Sequence, residues 1–130
     1  MIQVERAIPT MFVRDLDAAI AWYERVLGFR VTFRIADPHY AGLSLGGAHI
    51  HLGRSEPPVI TAAFYLQLAQ GVDELVAAIE AKGEPILSAL KDQPYGMREA
   101  TVHDPDGNEI YIGQPLKPRT VLASDDLPQP

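Results

Sequence analysis

DLDAAIAWYERVLGF, residues Asp15 to Phe29, is the stretch on which the fold turns. Leu16, Ala19, Ile20, Tyr23, Val26 and Leu27 recur at helical spacing, so one stripe of a helix is apolar. Asp15 stands where a side chain can cap the first free amides, and Gly28 stands where the chain can turn out of the helix. Upstream, Ala7–Val13 (AIPTMFV) is short, apolar and rich in strand formers. Pro9 within it fits an edge strand, or a strand that leaves its own sheet. Downstream lie three short extended segments, Arg30–Ile35, Tyr40–Leu45 and Ala48–Leu52. Asp37-Pro38 and Gly46-Gly47 separate them, the second as a tight hairpin.

After a proline-paired linker, RSEPPVI at residues 54–60, the pattern restarts. Ala63–Leu68 reads as a strand, Val72–Ala81 as a helix ended by Gly83, and Pro85–Leu87, Arg98–His103 and Glu109–Ile112 as further strands. DPDGN, Asp104–Asn108, turns between the last two. Each half reads strand, helix, three strands, an internal repeat of structure with little identity of sequence. The predicted fold class is α+β, two βαβββ modules (about 1–54 and 61–115) forming curved mixed sheets around a cleft, with helices on the outside. Both modules belong to a single domain, residues 1–115. Residues 116–130 continue a proline-rich run that begins at Pro115 and read as an arm or disordered tail.

Composition narrows the function. The chain has 130 residues, 47% of them hydrophobic and 22% charged, as globular proteins do. A net charge of −6 argues against nucleic acid, whose phosphates need a basic face. The absence of cysteine removes disulfides, thiolate metal sites and cysteine nucleophiles. No apolar run approaches the roughly 20 residues of a membrane span. MIQVERAIPT lacks a basic region followed by an apolar one, so a cytoplasmic protein with no membrane partner is expected. No G-x-S-x-G, glycine-rich phosphate loop or H-E-x-x-H is present, and Ser44, Ser55 and Ser88 have no histidine in a defensible pattern.

Strand alternation then sorts the polar residues. In GGAHIHLG, Gly46–Gly53, His49 and His51 share one face while Ile50 and Leu52 share the other. Glu109 and Tyr111 alternate with Ile110 and Ile112 in the same way. Each sheet thus keeps a polar face away from its helix, and two such faces can wall a cleft. The histidine pair is open to two readings, half of a metal site or a polar pocket wall. Trp22 and Tyr23 read as core, His103 as a solvated strand end and His39 as a loop residue near the pocket mouth. Asp104 and Asp106 read as turn formers rather than an acid–base pair.

RAIPTMFVRDLDAAIAWYERVLGF and QPYGMREATVHDPDGNEI, taken with the βαβββ repeat, resemble the vicinal-oxygen-chelate superfamily. This is the group of glyoxalase I, extradiol dioxygenases, fosfomycin resistance enzymes and bleomycin resistance proteins. AIP before the first strand, GVDEL opening the second helix and QPYG…REA…DPDGN look most like the bleomycin resistance branch. The metalloenzymes of the superfamily hold one divalent ion on the concave face with residues from four strands. Counted from the shared motifs, those positions fall here on Ile8, His51, Phe64 and Tyr111. Only His51 is a usual ligand, so the resemblance implies no native metal site and no cofactor. A shifted site made of His49, His51 and Glu109 is the alternative, and it needs Glu109 to reach across from another strand.

The resemblance further implies a homodimer that completes its pockets across the subunit interface. Tyr95, in QPYGM, stands where that branch usually carries a tryptophan beside its ligand, and a ring there can stack on a flat heteroaromatic group or a cation. With His49 and His51, the expected ligand-binding residues are Phe33, Phe64, Tyr95, Glu109 and Tyr111, and Phe12 and Met97 border them. The function implied is metal-free sequestration of an aromatic or cationic compound, as in antibiotic resistance by bleomycin binding, with no catalytic residue. The rival is a metal-dependent lyase or dioxygenase that uses His51 with nonstandard partners and Glu109 as base.

Overall fold

The computed structural model describes residues 1–37 and 39–117. Strand β1 (Thr10–Val13) leads into helix α1 (Leu16–Trp22), and β2 (Arg30–Ile35), β3 (Tyr40–Leu45) and β4 (Ala48–Arg54) complete the first module. The second repeats the order with β5 (Ala63–Gln67), α2 (Val72–Ala81), β6 (Ser88–Asp92), β7 (Met97–His103) and β8 (Glu109–Pro115). The strands lie in the orders β1-β4-β3-β2 and β5-β8-β7-β6. In each sheet the first strand runs parallel to the last, and the remaining neighbours are antiparallel. The architecture is the α+β pair of βαβββ modules that the repeat predicts.

Local chemistry sets the boundaries. The Asp15 carboxylate accepts the Ala18 amide at 3.1 Å and opens α1. The last turn of that helix, Tyr23–Leu27, widens to π geometry before the chain leaves through Gly28 at φ 87°, a conformation that favours glycine. Helix α2 has no side-chain cap of its own. Its first amide, that of Val72, donates instead to Gln114 Oε1 of β8 at 3.0 Å.

Several strand bounds differ from the sequence reading, and β8 runs on to Pro115, past the expected end at Ile112. Strand β1 starts at Thr10, three residues late: Pro9 has no amide to donate, and only its carbonyl joins the ladder, accepting from His51 N–H at 2.9 Å. The strand expected at Pro85–Leu87 lies instead at Ser88–Asp92. Ile86 packs on the core just ahead of it, so its apolar side chain marks an anchor rather than the strand. Pro38 and the proline-rich tail from Pro118 onward lie outside the described residues.

Each sheet turns its aliphatic face to the helices. Met11, Val13, Ile50 and Leu52 from the first and Leu66, Val102, Ile110 and Ile112 from the second join Tyr23, Phe29, Val76 and Ile79 in one core cluster. Each such side chain contributes about 1.5–3 kcal/mol by leaving water. The DPDGN turn closes the seam between the modules. Asp104 is fully buried and accepts from the Tyr23 hydroxyl and from the amides of Asp106 and Asn108, each at 2.9 Å. Asn108 donates to the Phe12 carbonyl at 3.0 Å and accepts the Ala62 amide at 2.8 Å. The turn reading of Asp104 and Asp106 therefore holds. Burial, and then the charge of Asp104, push the Tyr23 phenol far above its ordinary pKa, so it remains a donor.

Candidate functional site

The helix-free face of the first sheet carries rings and neutral polar groups. Its β3–β4 register sets Gly42 opposite His51 and Ser44 opposite His49. Tyr40, at the start of β3, brings its hydroxyl within 3.1 Å of His51 Nδ1 and 3.0 Å of Thr10 Oγ1. Phe33 meets His51 edge-on, with centroids 5.2 Å apart, and stacks on Tyr40 at 6.4 Å. Phe33 reaches that position because it lies over Gly42, where any Cβ would overlap its ring. A bulge between Val31 and Phe33 shifts the β2 register and turns Phe33 onto this face. Among the described residues, none of the hydrogen bonds or ring contacts of Phe33, Tyr40 and His51 reaches the second sheet.

The corresponding face of the second sheet is built from phenols and carboxylates. Tyr65 and Tyr111 stack with centroids 6.3 Å apart and planes 13° from parallel. The Tyr65 hydroxyl crosses β8 over Gly113, where a Cβ would overlap it, and donates to Glu99 Oε2 of β7 at 2.6 Å. The Tyr95 hydroxyl donates to the other oxygen of Glu99. Tyr111 donates to Glu109 Oε2 at 2.8 Å. That bond, followed by the charge of Glu109, raises the Tyr111 pKa and keeps the phenol protonated. Glu99 is only 9% exposed, and among the described residues neither it nor Glu109 takes part in an ion pair.

The expected residues are placed as follows. His49, His51 and Phe33 lie on the open face of the first sheet, and Glu109 and Tyr111 on that of the second. Tyr95, 66% exposed, folds over the second from the loop before β7. Phe64 is a correction. It lies in register with Ile110, on the aliphatic face, and meets Phe29 edge-on at 6.5 Å within the core. Its neighbour Tyr65 takes the open face, because the purely apolar ring gains from burial while the phenol needs a polar partner. The residues that sequence reasoning missed are Tyr40, Thr10, Tyr65 and Glu99. His103 bonds its Nδ1 to the Asp104 carbonyl oxygen at 3.1 Å at the strand end, and His39 stays in its exposed loop.

The donors present do not fit a divalent ion. At the four family positions Ile8 cannot coordinate, His51 supplies one imidazole, Phe64 packs against the core and Tyr111 is committed to a carboxylate. Among the described residues no three His, Asp or Glu side chains gather as a ligand set. The shifted trio of His49, His51 and Glu109 forms no such group either. Among the described residues no helix is long and apolar enough to cross a membrane.

Comparison with known proteins agrees with this geometry. The model of the glyoxalase/bleomycin resistance protein/dioxygenase superfamily matches residues 6–112. No curated protein matches. Among solved structures, TioX from Micromonospora sp. ML1 is 27% identical with a TM-score of 0.73, over 86% of this chain and 100% of TioX. A bleomycin-binding protein solved in complex with bleomycin is 26% identical with a TM-score of 0.70, over 85% of this chain and 98% of that one. Lactoylglutathione lyase from Agrobacterium tumefaciens shares the fold at 21% identity and a TM-score of 0.71, over 85% of this chain and 94% of the lyase.

Proposed function

The chain belongs to the glyoxalase/bleomycin resistance protein/dioxygenase superfamily, and from that membership we propose a metal-free binding protein that sequesters an aromatic or cationic small molecule. One observation carries the reading: where a metalloenzyme of this fold needs a convergent set of donors, the open faces carry rings. Phe33, Tyr40 and His51 line one sheet, and Tyr65 and Tyr111 line the other. Stacked rings bind flat or cationic groups without a metal. A bleomycin-binding relative that matches over 98% of its own length supports a ligand of that kind and a role in antibiotic resistance.

The cleft is completed by a second copy of the chain. Among the described residues, the contacts of Phe33, Tyr40 and His51 do not join the two ring-bearing faces of one chain. In addition, Ile2 and Val4 in the segment before β1 are 95% and 82% exposed. Exposed apolar side chains favour association between copies.

Metal analysis of protein purified without chelator tests the first half, with far less than one ion per chain expected. Near-stoichiometric zinc, nickel, manganese or iron, lost in His51→Ala, would establish the metalloenzyme instead. Calorimetric titration with bleomycin tests the ligand. Binding at a Kd of about 10 μM, roughly 7 kcal/mol, supports sequestration, and its absence at that concentration removes the drug assignment. Sedimentation equilibrium should give twice the 14.3 kDa chain mass.

A further inference from the structure

The first sheet holds one histidine by every polar atom but one. The His51 amide donates to the Pro9 carbonyl, its Nδ1 meets the Tyr40 hydroxyl at 3.1 Å, and the Phe33 ring stands edge-on at 5.2 Å. Its Nε2 has no hydrogen-bond partner among the described residues. Among those residues no buried side-chain nitrogen or oxygen lacks a partner, so Nε2 is open to solvent. The hydrogen bond made by one ring nitrogen decides what the other can offer.

Strand pairing sets up that hydrogen bond. Tyr40 is in register with Gly53 of β4, and its ring lies so near that a Cβ on Gly53 would sit 3.1 Å from it. The phenol thereby reaches β1, where Thr10 Oγ1 is 3.0 Å from its oxygen. Donor and acceptor strengths then order the chain. A phenol is a stronger donor than an aliphatic hydroxyl, and an unprotonated imidazole nitrogen is a stronger acceptor than a phenol oxygen. Thr10 therefore donates to Tyr40, Tyr40 donates to Nδ1, and the imidazole proton lies on Nε2. The open face presents a neutral donor beside the stacked rings of Phe33 and Tyr40.

We propose that His51 determines specificity for a flat heteroaromatic ligand, whose ring nitrogen or carbonyl oxygen accepts from Nε2–H while the ring packs against Phe33. Phe33 is 39% exposed and leaves surface for that contact. Tyr40 is a positioning residue: it acts through Nδ1 and keeps the donor on the ligand side. The inference rests on the small-molecule reading above and selects the aromatic branch of it.

Three flat bicycles test it on the full chain by NMR titration at about pH 8.5, above the ordinary histidine range. Isoquinoline carries a ring acceptor, indole an N–H donor and naphthalene neither. Isoquinoline should bind about threefold to tenfold tighter than naphthalene, the worth of one neutral hydrogen bond, and indole should gain nothing. His51→Phe, which keeps a ring at the position, should erase that preference and leave naphthalene unchanged. Tyr40→Phe should also leave naphthalene unchanged but narrow the preference, because Nε2 is then protonated only part of the time. Proton–nitrogen correlations of the wild-type imidazole, assigned through its contact with Phe33, read the tautomer without any variant, and Nδ1 should be the unprotonated nitrogen. A protonated Nδ1, equal affinity for the three probes, a preference for indole, or an isoquinoline preference that survives His51→Phe overturns the proposal while the small-molecule reading stands. Equal loss of all three probes in either variant, or binding of bleomycin but of no bicycle, does the same. Failure of all three together with failure of bleomycin removes both.

Discussion

The two modules share a topology and differ in how they use it. Each lays one aromatic side chain across a glycine, Phe33 over Gly42 in the first sheet and Tyr65 over Gly113 in the second. Beyond that common device the chemistry separates. The first sheet ends in a neutral chain of hydroxyl, phenol and imidazole through Thr10, Tyr40 and His51. The second ends in carboxylates held by phenols through Glu99 and Glu109. The last turns differ as much. A Cβ at Gly46 or Gly47, between β3 and β4, would meet nothing within 4 Å, whereas the turn between β7 and β8 buries and hydrogen-bonds Asp104 and Asn108. Repetition supplied two scaffolds, and the side chains made one face neutral, the other acidic, and one turn a clasp.

The clasp offers the largest test of that asymmetry. Asp104→Ala should cost about 3 kcal/mol or more in urea unfolding, because it leaves several buried donors without an acceptor. Gly47→Ala, at the equivalent turn of the other module, should change stability by less than about 0.5 kcal/mol. Comparable losses would mean that the two turns are equivalent after all.

The glycine floors come next. Gly42→Ala and Gly113→Ala should each cost about 1–2 kcal/mol by overpacking. The cost should vanish when the ring above is removed, in Phe33→Ala for the first and Tyr65→Ala for the second. Additive losses in those double variants would show that the glycines serve the backbone and not the rings.

The helices differ at their starts, and a smaller effect is expected there. Asp15→Ala removes the only side-chain cap of α1 and should cost about 1 kcal/mol. For α2 the corresponding loss comes from a distant strand: Gln114→Ala, thermally melted beside Asp15→Ala, should cost a similar amount because it frees the Val72 amide.

The smallest effect lies in the ion pair between the modules, Arg25 with Glu84 at 2.7 Å. The hydrogen bond from Arg25 holds the Glu84 carboxyl below its ordinary pKa. Its stabilisation is therefore complete above the ordinary carboxylate range and is lost as pH falls through the lowered value. Both side chains meet solvent, so only a few tenths of a kcal/mol are expected. Urea midpoints of wild type and Arg25→Met should differ at pH 7 and converge as the pH falls below the carboxylate range.

Much of this architecture can be read from residues Asp15–Phe29 and the DPDGN turn, because capping, periodicity and turn chemistry are local. The open face of the first sheet was partly legible as well: a turn at Gly46-Gly47 sets Gly42 against His51, and a count of two more residues reaches Tyr40. Bringing Tyr40 and Thr10 together, however, needs the β1–β4 pairing, which no local signal supplies. Phe64 and Tyr65 are adjacent aromatic residues on a five-residue edge strand, so alternation alone could not decide which of them faces inward. Glu99 carried no motif. It gains its place only after Tyr65 arrives across β8 and Tyr95 folds back from its loop.

The Tyr23–Asp104 contact has one more consequence. In an array of repeats, stability is close to a sum of units and neighbour terms, and one unit can open while the rest stay shut. Here a ring of the first module is wholly buried against the turn of the second, and Asn108 ties together the strand that begins each half. Neither half can unfold without stranding buried polar groups of the other. The chain is repetitive in shape yet indivisible in folding, so cooperativity belongs to the pair.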